Sequence, residues 1–145
     1  MVHSLGRLPD PNPGGLDWDD RATPATVARI NDFAYGFDEP TFGAALADMP
    51  GDIPLRLYQA RVDGEPASVL ATVDEGDDCG IYLVGTLKGH RGRGLSGRLL
   101  QVALAEARQR GLRTSSLQAT KLGYPVYERL GYEPICTLQM WERRK

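Results

Sequence analysis

An α+β fold with a mixed, mainly antiparallel central sheet is predicted by two patterns and by the order in which they occur. Three strand-like runs joined by tight turns fill residues 55–87, and a helix-forming stretch at 94–109 then separates the last of them from a further strand at 112–118. Strands joined by tight turns pair antiparallel, whereas a strand–helix–strand crossover leaves its two strands parallel. The chain is therefore expected to build a three-strand meander, one parallel strand pair and flanking helices.

The 145 residues suit one ordinary domain and bury enough apolar surface to fold without disulfides or metal. Hydrophobic content of 41% and charged content of 25% are those of a globular protein. A net charge of -2 argues against a dedicated nucleic-acid binder. No run approaches the length of apolar chain that spans a membrane, and the N-terminus lacks a basic-then-apolar signal pattern. The two cysteines, Cys79 and Cys136, fall in expected strands without metal-ligand spacing, so we read them as small buried thiols and expect no metal and a cytoplasmic address.

Residues 1–22 carry Pro9, Pro11, Pro13, Gly14 and Gly15 among aspartates and are expected to form an irregular arm. Residues 23–145 then make the single domain. Thr23-Pro24 supplies an N-cap and a proline at the first helical position, Val27, Ile30, Phe33 and Ala34 form an apolar stripe, and Gly36 stops the helix. A short second helix runs from Pro40 to Pro50-Gly51 with Phe42, Ala45, Leu46 and Met49 at helical spacing.

Leu55–Val62 and Ala67–Val73 alternate like strands around Asp63-Gly64, the dipeptide preferred in two-residue hairpins. Asp74–Asp78 turns the chain into a third strand, Gly80–Leu87. The long helix places Leu95, Leu99, Val102, Ala103 and Ala107 on one face and ends at Gly111. After the 112–118 strand, Pro125 opens a short helix with Val126, Tyr127 and Leu130 inward and Gly131 as its stop. A last strand is expected from Glu133 to Trp141, followed by a solvated tail, Glu142–Lys145.

The turn between the third strand and the long helix holds the chemistry. Its sequence is His90-Arg91-Gly92-Arg93-Gly94-Leu95-Ser96-Gly97. Amides in the first turn of a helix have no intrahelical acceptor, the helix dipole favours an anion there, and glycines let backbone approach a phosphate. Arg91, Arg93, Arg98, Lys88 and His90 add positive charge. Gly92-x-Gly94-x-x-Gly97 satisfies a dinucleotide fingerprint, but that reading needs an acid at the end of the next strand, where Gln118 stands, and a doubly wound sheet. Gly89-x-x-x-x-Gly94-Leu95-Ser96 misses a nucleotide P-loop because Leu95 replaces its lysine.

Gly92-Arg93-Gly94 behind Arg91 resembles the Gln/Arg-x-x-Gly-x-Gly/Ala loop of the GNAT acetyltransferases, with Gly89 at the leading position. Tyr127-Glu128-Arg129-Leu130-Gly131-Tyr132 is similar to the family's second signature, a tyrosine before a helix end and an aromatic after glycine. This resemblance implies an acyl-CoA N-acyltransferase-like fold in which the parallel pair splays. It implies that Val84, Gly85 and Thr86 pair with the pantetheine arm of acetyl-CoA, that the amides of Gly92, Arg93, Gly94, Leu95, Ser96 and Gly97 hold the pyrophosphate, and that Arg91 or Arg93 meets a phosphate. Thr120 stands where the family often has an asparagine for the arm, and a hydroxyl cannot reproduce an amide pair. Tyr127 matches the position of the general acid that protonates the leaving thiolate, although an inward tyrosine on a short helix is also often core.

The implied reaction is direct attack on the thioester by an amine of a small molecule or peptide. The loop Tyr35–Glu39 and the second helix, facing Tyr82 and Tyr124, are expected to form the acceptor pocket. No base is assigned: Thr114, Ser115 and Ser116 stand where some members carry an acid, and water or an amine already neutral serves instead. The family's sheet has more strands than this chain offers at its ends, so either the sheet is shorter or a homodimer partner covers its edge. The alternative is a catalytically weak domain that binds acyl-CoA as a sensor or interaction module.

Overall fold

A computed structural model describes residues 1–47, 53–139 and 141. Its elements are β1 (Val2–Ser4), β2 (Asp17–Asp19), α1 (Pro24–Tyr35), α2 (Thr41–Ala47), β3 (Leu55–Val62), β4 (Glu65–Glu75), β5 (Asp78–Thr86), α3 (Leu95–Gln109), β6 (Thr114–Leu117) and α4 (Tyr124–Arg129). The strands form one sheet in the order β1-β6-β5-β4-β3-β2. Every neighbouring pair is antiparallel except β5 with β6, so the expected meander and parallel pair are both present.

The hairpin between β3 and β4 turns on Asp63 and Gly64 with φ of 53° and 82°, both in the left-handed region that a two-residue turn between right-twisted strands demands. Thr23 caps α1 by accepting the Thr26 N–H at 3.1 Å, and Gly36 ends that helix in a left-handed conformation. The sheet is covered on both faces. Leu70 of β4 packs into a cluster with Leu99, Leu100, Ala103 and Leu104 of α3. Its neighbour Val69 points the other way, into a cluster with Val27 and Ile30 of α1.

Several expectations are corrected. The segment 1–22 is not irregular throughout, because β1 pairs with β6 and β2 pairs with β3, at opposite edges of the sheet. The chain between them crosses α3. Leu5 and Leu8 are buried against that helix, Arg108 donates to the Leu8 carbonyl at 2.7 Å, and Arg98 donates to the carbonyls of Pro13 and Gly14 at 3.3 and 3.2 Å. Guanidinium groups thus donate to carbonyls of a proline- and glycine-rich segment that has few amides of its own to offer, although Pro13 also accepts the Leu16 N–H at 2.9 Å.

Phe33, expected on the buried stripe of α1, is 64% exposed, and the buried face is instead Val27, Ala28, Ile30 and Asn31. The last strand does not form among the described residues. Glu133 makes one antiparallel bridge to Val2, Pro134 follows with no amide to donate, and Ile135–Gln139 run exposed, Cys136 included. Met49 and the stop at Pro50-Gly51, like the tail 142–145, lie outside the described residues. No described helix is long and apolar enough to cross a membrane, and no three metal-ligating side chains gather among the described residues.

Candidate functional site

The parallel pair is stitched at one end and open at the other. Asp78 accepts from Thr114 Oγ1 at 2.7 Å and from Ser116 Oγ at 2.6 Å, binding the start of β5 to β6. Pairing runs from Asp78 opposite Thr114 to Ile81 opposite Leu117 and then ends, while β5 continues to Thr86. Beyond Ile81, the described ladder partners of β5 lie in β4 alone. The resulting free edge is a row of backbone groups able to pair with an extended ligand.

An irregularity sits on that edge. Val69 of β4 faces Gly85 and Ala71 faces Tyr82, so Leu70 opposes both Leu83 and Val84. Leu83 has φ of 52°, rare for a residue with a branched side chain. The extra residue flips the alternation: Cys79 and Ile81 face the α3 cluster, Leu83 faces the α1 cluster, and Val84 returns to the α3 side. Beyond it, Ser68 Oγ donates to the Gly85 carbonyl at 3.1 Å and meets Thr86 Oγ1 at 2.9 Å.

Following β5, the single turn Lys88–His90 leads into the glycine loop. Gly92 and Gly94 both adopt left-handed backbone, at 76° and 71°, and Gly94 is the N-cap of α3. Nothing lies within 4 Å of where a Gly92 Cβ would stand, so the turn is open beside that residue. Leu95 anchors the first turn in the core, Ser96 and Gly97 are half-buried, and a Cβ placed on Gly97 would stand 4.0 Å from Val126 of α4.

The arginines divide their work unevenly. Arg91 donates from Nε to the Thr86 carbonyl at 3.2 Å and from Nη2 to the Ala34 carbonyl at 2.6 Å, tying the loop to the end of α1. Among the described residues the Arg93 guanidinium has one hydrogen-bond partner, His90 Nδ1 at 3.2 Å, and the residue is exposed. Arg98 joins the loop to the N-terminal crossing, since Nη2 donates to the Arg93 carbonyl at 3.2 Å while Nη1 holds Pro13 and Gly14. Thr120 Oγ1 accepts the Gly123 N–H at 3.1 Å and so shapes the turn into α4.

Tyr127 is 7% exposed and packs in the same cluster as Val84 of the open strand. Burial, with a smaller effect from the neighbouring Tyr35, pushes its phenol up to about 12. Its ring rests on Tyr132, whose hydroxyl lies 2.6 Å from Ser115 Oγ. The expected acceptor region is an aromatic cluster. Tyr35 and Phe37 each lie 5.7 Å from Phe42, whose amide donates to Asp32 Oδ1 at 2.9 Å. Tyr82 is 54% exposed on the open strand. Asn31 is a polar side chain at the site that sequence reasoning did not single out. The one available signal for Asn31 was an amide four residues after Val27, inside an apolar helix face.

This arrangement is that of an acyl-CoA N-acyltransferase-like fold. The sequence model of the acetyltransferase (GNAT) domain matches residues 79–135. An uncharacterized N-acetyltransferase of Streptomyces griseus is 42% identical over 53 residues, which is 37% of this chain and 12% of that protein. A GCN5-related N-acetyltransferase from Kribbella flavida superposes with a TM-score of 0.65 at 26% identity, covering 92% of this chain. A predicted acetyltransferase with acetyl-CoA from Clostridium acetobutylicum does so with a TM-score of 0.67 at 16% identity, over 98% of this chain and 96% of that one. The chain spans about half, 52%, of the Kribbella protein and a small part of the curated relative. It has the GNAT fold, and its residues 79–135 are similar in sequence to the GNAT acetyltransferase domain.

Proposed function

We propose that this chain is an N-acetyltransferase that moves an acetyl group from acetyl-CoA to an amine by direct attack. The observation that carries the reading is the free edge of β5 from Tyr82 to Thr86, leading straight into the open left-handed turn at Gly92–Gly94. An extended arm ending in a pyrophosphate matches that pairing edge and that helix N-terminus in order. Val84, Gly85 and Thr86 would pair with the arm, and the amides from Gly92 to Gly97 would hold the pyrophosphate. Arg93, whose guanidinium has His90 as its one partner among the described residues, is better placed to meet phosphate than Arg91, whose guanidinium holds two carbonyls.

Bound acetyl-CoA supplies the thioester carbonyl and the thiolate leaving group. The backbone around Val84 would stabilise the carbonyl oxygen, because a bulged strand directs N–H groups away from the ladder. Tyr127, which holds its proton well above neutral pH, would deliver that proton to the thiolate. The aromatic cluster of Tyr35, Phe37 and Phe42 would receive the amine, whose own proton leaves through water.

A second reading, an acyl-CoA-binding module, is favoured by one detail: Thr120 spends its acceptor on the α4 turn. The experiment that separates the two is to incubate the protein with acetyl-CoA and a panel of polyamines, amino acids, aminoglycosides and peptide N-termini, following free thiol. Turnover with any of them supports the enzyme. Tight acetyl-CoA binding with no thiol release across the panel supports the module.

A further inference from the structure

We infer that Asn31 of α1 is a positioning residue that fixes the left-handed backbone of Leu83, and through it the strand groups that meet the acyl carbonyl; this rests on the acetyltransferase reading above. Asn31 is fully buried, in the middle of a helix face otherwise made of Val27, Ala28 and Ile30. Its Nδ2 donates to the Val27 carbonyl at 2.9 Å, one turn back in its own helix, and to the Leu83 carbonyl at 3.0 Å on β5. Two N–H donors facing two carbonyls settle the amide orientation, since the reverse would aim oxygen at oxygen. The Oδ1 atom has no hydrogen-bond partner among the described residues. It lies 3.1 Å from where a Cβ on Gly85 would stand, so the amide is wedged between Leu83 and Gly85, on either side of Val84.

Nothing in the local sequence asks Leu83 to adopt φ of 52°. An L residue there costs roughly 1–2 kcal/mol and persists only where the surroundings impose it. A buried amide with an unpartnered oxygen is also costly to keep. Both unfavourable features meet at one hydrogen bond, and that bond sits where the parallel pairing has just ended. A leucine at position 31 would pack an apolar helix face more simply. The amide is therefore retained for the strand geometry that it holds.

The test uses Asn31→Leu, which removes both bonds, and Asn31→Ser. A serine hydroxyl can still bond the carbonyl one turn back, but it cannot span to Leu83. Asn31→Ser therefore separates the strand bond from the helix bond in a protein that should still fold. With an amine substrate in hand, both variants should lose on the order of 10²–10³-fold in kcat, as when an oxyanion donor is misplaced, with KM for acetyl-CoA within about threefold. Independently of turnover, the strong intraresidue amide–Hα cross-peak that a positive φ gives Leu83 should be present in the parent protein and lost in both variants. A folded Asn31→Ser protein that keeps both the cross-peak and kcat overturns the inference. Should the parent protein transfer no acetyl group at all, the acetyltransferase reading fails by itself. The cross-peak then still decides whether Asn31 sets the strand.

Discussion

The rings of Tyr127 and Tyr132 meet edge to face, with centroids 6.0 Å apart and planes at 69°. Tyr132 is in turn fixed from two sides. His3 of β1 lies edge-on at 5.3 Å, and the phenol hydroxyl reaches Ser115 on β6. The proposed acid is therefore not held by its own short helix alone. Its orientation derives from a ring anchored in the sheet, which gives the aromatic after Gly131 a physical reason to be there.

Replacing Tyr127 by Phe keeps the ring contact and removes only the proton. We expect kcat to fall by about 10²–10⁴-fold, the usual range for a positioned general acid, with little change in the dissociation constant for coenzyme A. Steady-state kinetics and calorimetry check the two halves separately. Because burial pushes the phenol up to about 12, its ionisation should cause no decline in the parent enzyme's rate below pH 10. Undiminished turnover in Tyr127→Phe removes the tyrosine from the mechanism.

Ser115 gives an ordering that a hydroxyl count alone fixes. Its single proton goes to the Cys79 carbonyl at 2.6 Å, so its oxygen accepts from Tyr132. Tyr132→Phe loses one bond and leaves Ser115 Oγ without a donor, at a cost of about 1 kcal/mol. Ser115→Ala strands a buried phenol and a carbonyl together, at a cost of about 2–3 kcal/mol. Urea denaturation should rank the alanine variant as the less stable. The opposite ranking contradicts this donor assignment.

What local sequence could reveal follows from the range of the interactions involved. Thr23-Pro24, Asp63-Gly64 and the α3 stripe are legible because cap, turn and amphipathic face are set by residues within a few positions of one another. β1 and β2 are not, because each is three residues long and exists through a distant partner, Ser116 for Val2 and Ala60 for Trp18. The missed bulge has the same origin, since Leu83 carries no turn-forming character and owes its conformation to α1. The glycine loop was readable from its own residues as the turn between β5 and α3. That Arg91 would spend itself on Thr86 and Ala34 was not, since α1 reaches the loop only in three dimensions. Glu133–Trp141 shows the converse: alternation and β-propensity suggest a strand, but a strand exists only where it is paired, and among the described residues of this segment Glu133 alone pairs, with Val2.

Arg98 couples the N-terminal crossing to the glycine loop, so shortening it should touch both stability and ligand binding. Arg98→Ala removes bonds to the carbonyls of Pro13, Gly14 and Arg93. These are partly solvent-exposed, so we expect a loss of about 1–2 kcal/mol in unfolding free energy. The loop carbonyl it held lies beside Gly94, and coenzyme A affinity should drop several-fold while affinity for pantetheine alone stays as it was. Equal losses for the two ligands would show that Arg98 acts through the fold and not through the loop.

Alkaline pH should destabilise the protein through groups the core keeps neutral. Tyr58, Tyr127 and Tyr132 are all raised above the ordinary 10, chiefly by burial, and Tyr58 also by its bond to Glu106 at 2.7 Å. Burial likewise pushes the Cys79 thiol from 9.0 up to about 11. In each case the unfolded chain loses its proton first. The stabilisation is complete below the unfolded value and fades as pH rises towards the folded one, from about pH 9 for the thiol and about pH 10 for the phenols. Between pH 10 and 11 each phenol should contribute a decline of up to about 1.4 kcal/mol per pH unit. Urea midpoints measured from pH 8 to 11 should fall along that course, and Tyr58→Phe, though less stable at pH 8, should show a shallower decline. A flat midpoint across this range would mean that these hydroxyls titrate in the folded protein as freely as in the unfolded chain.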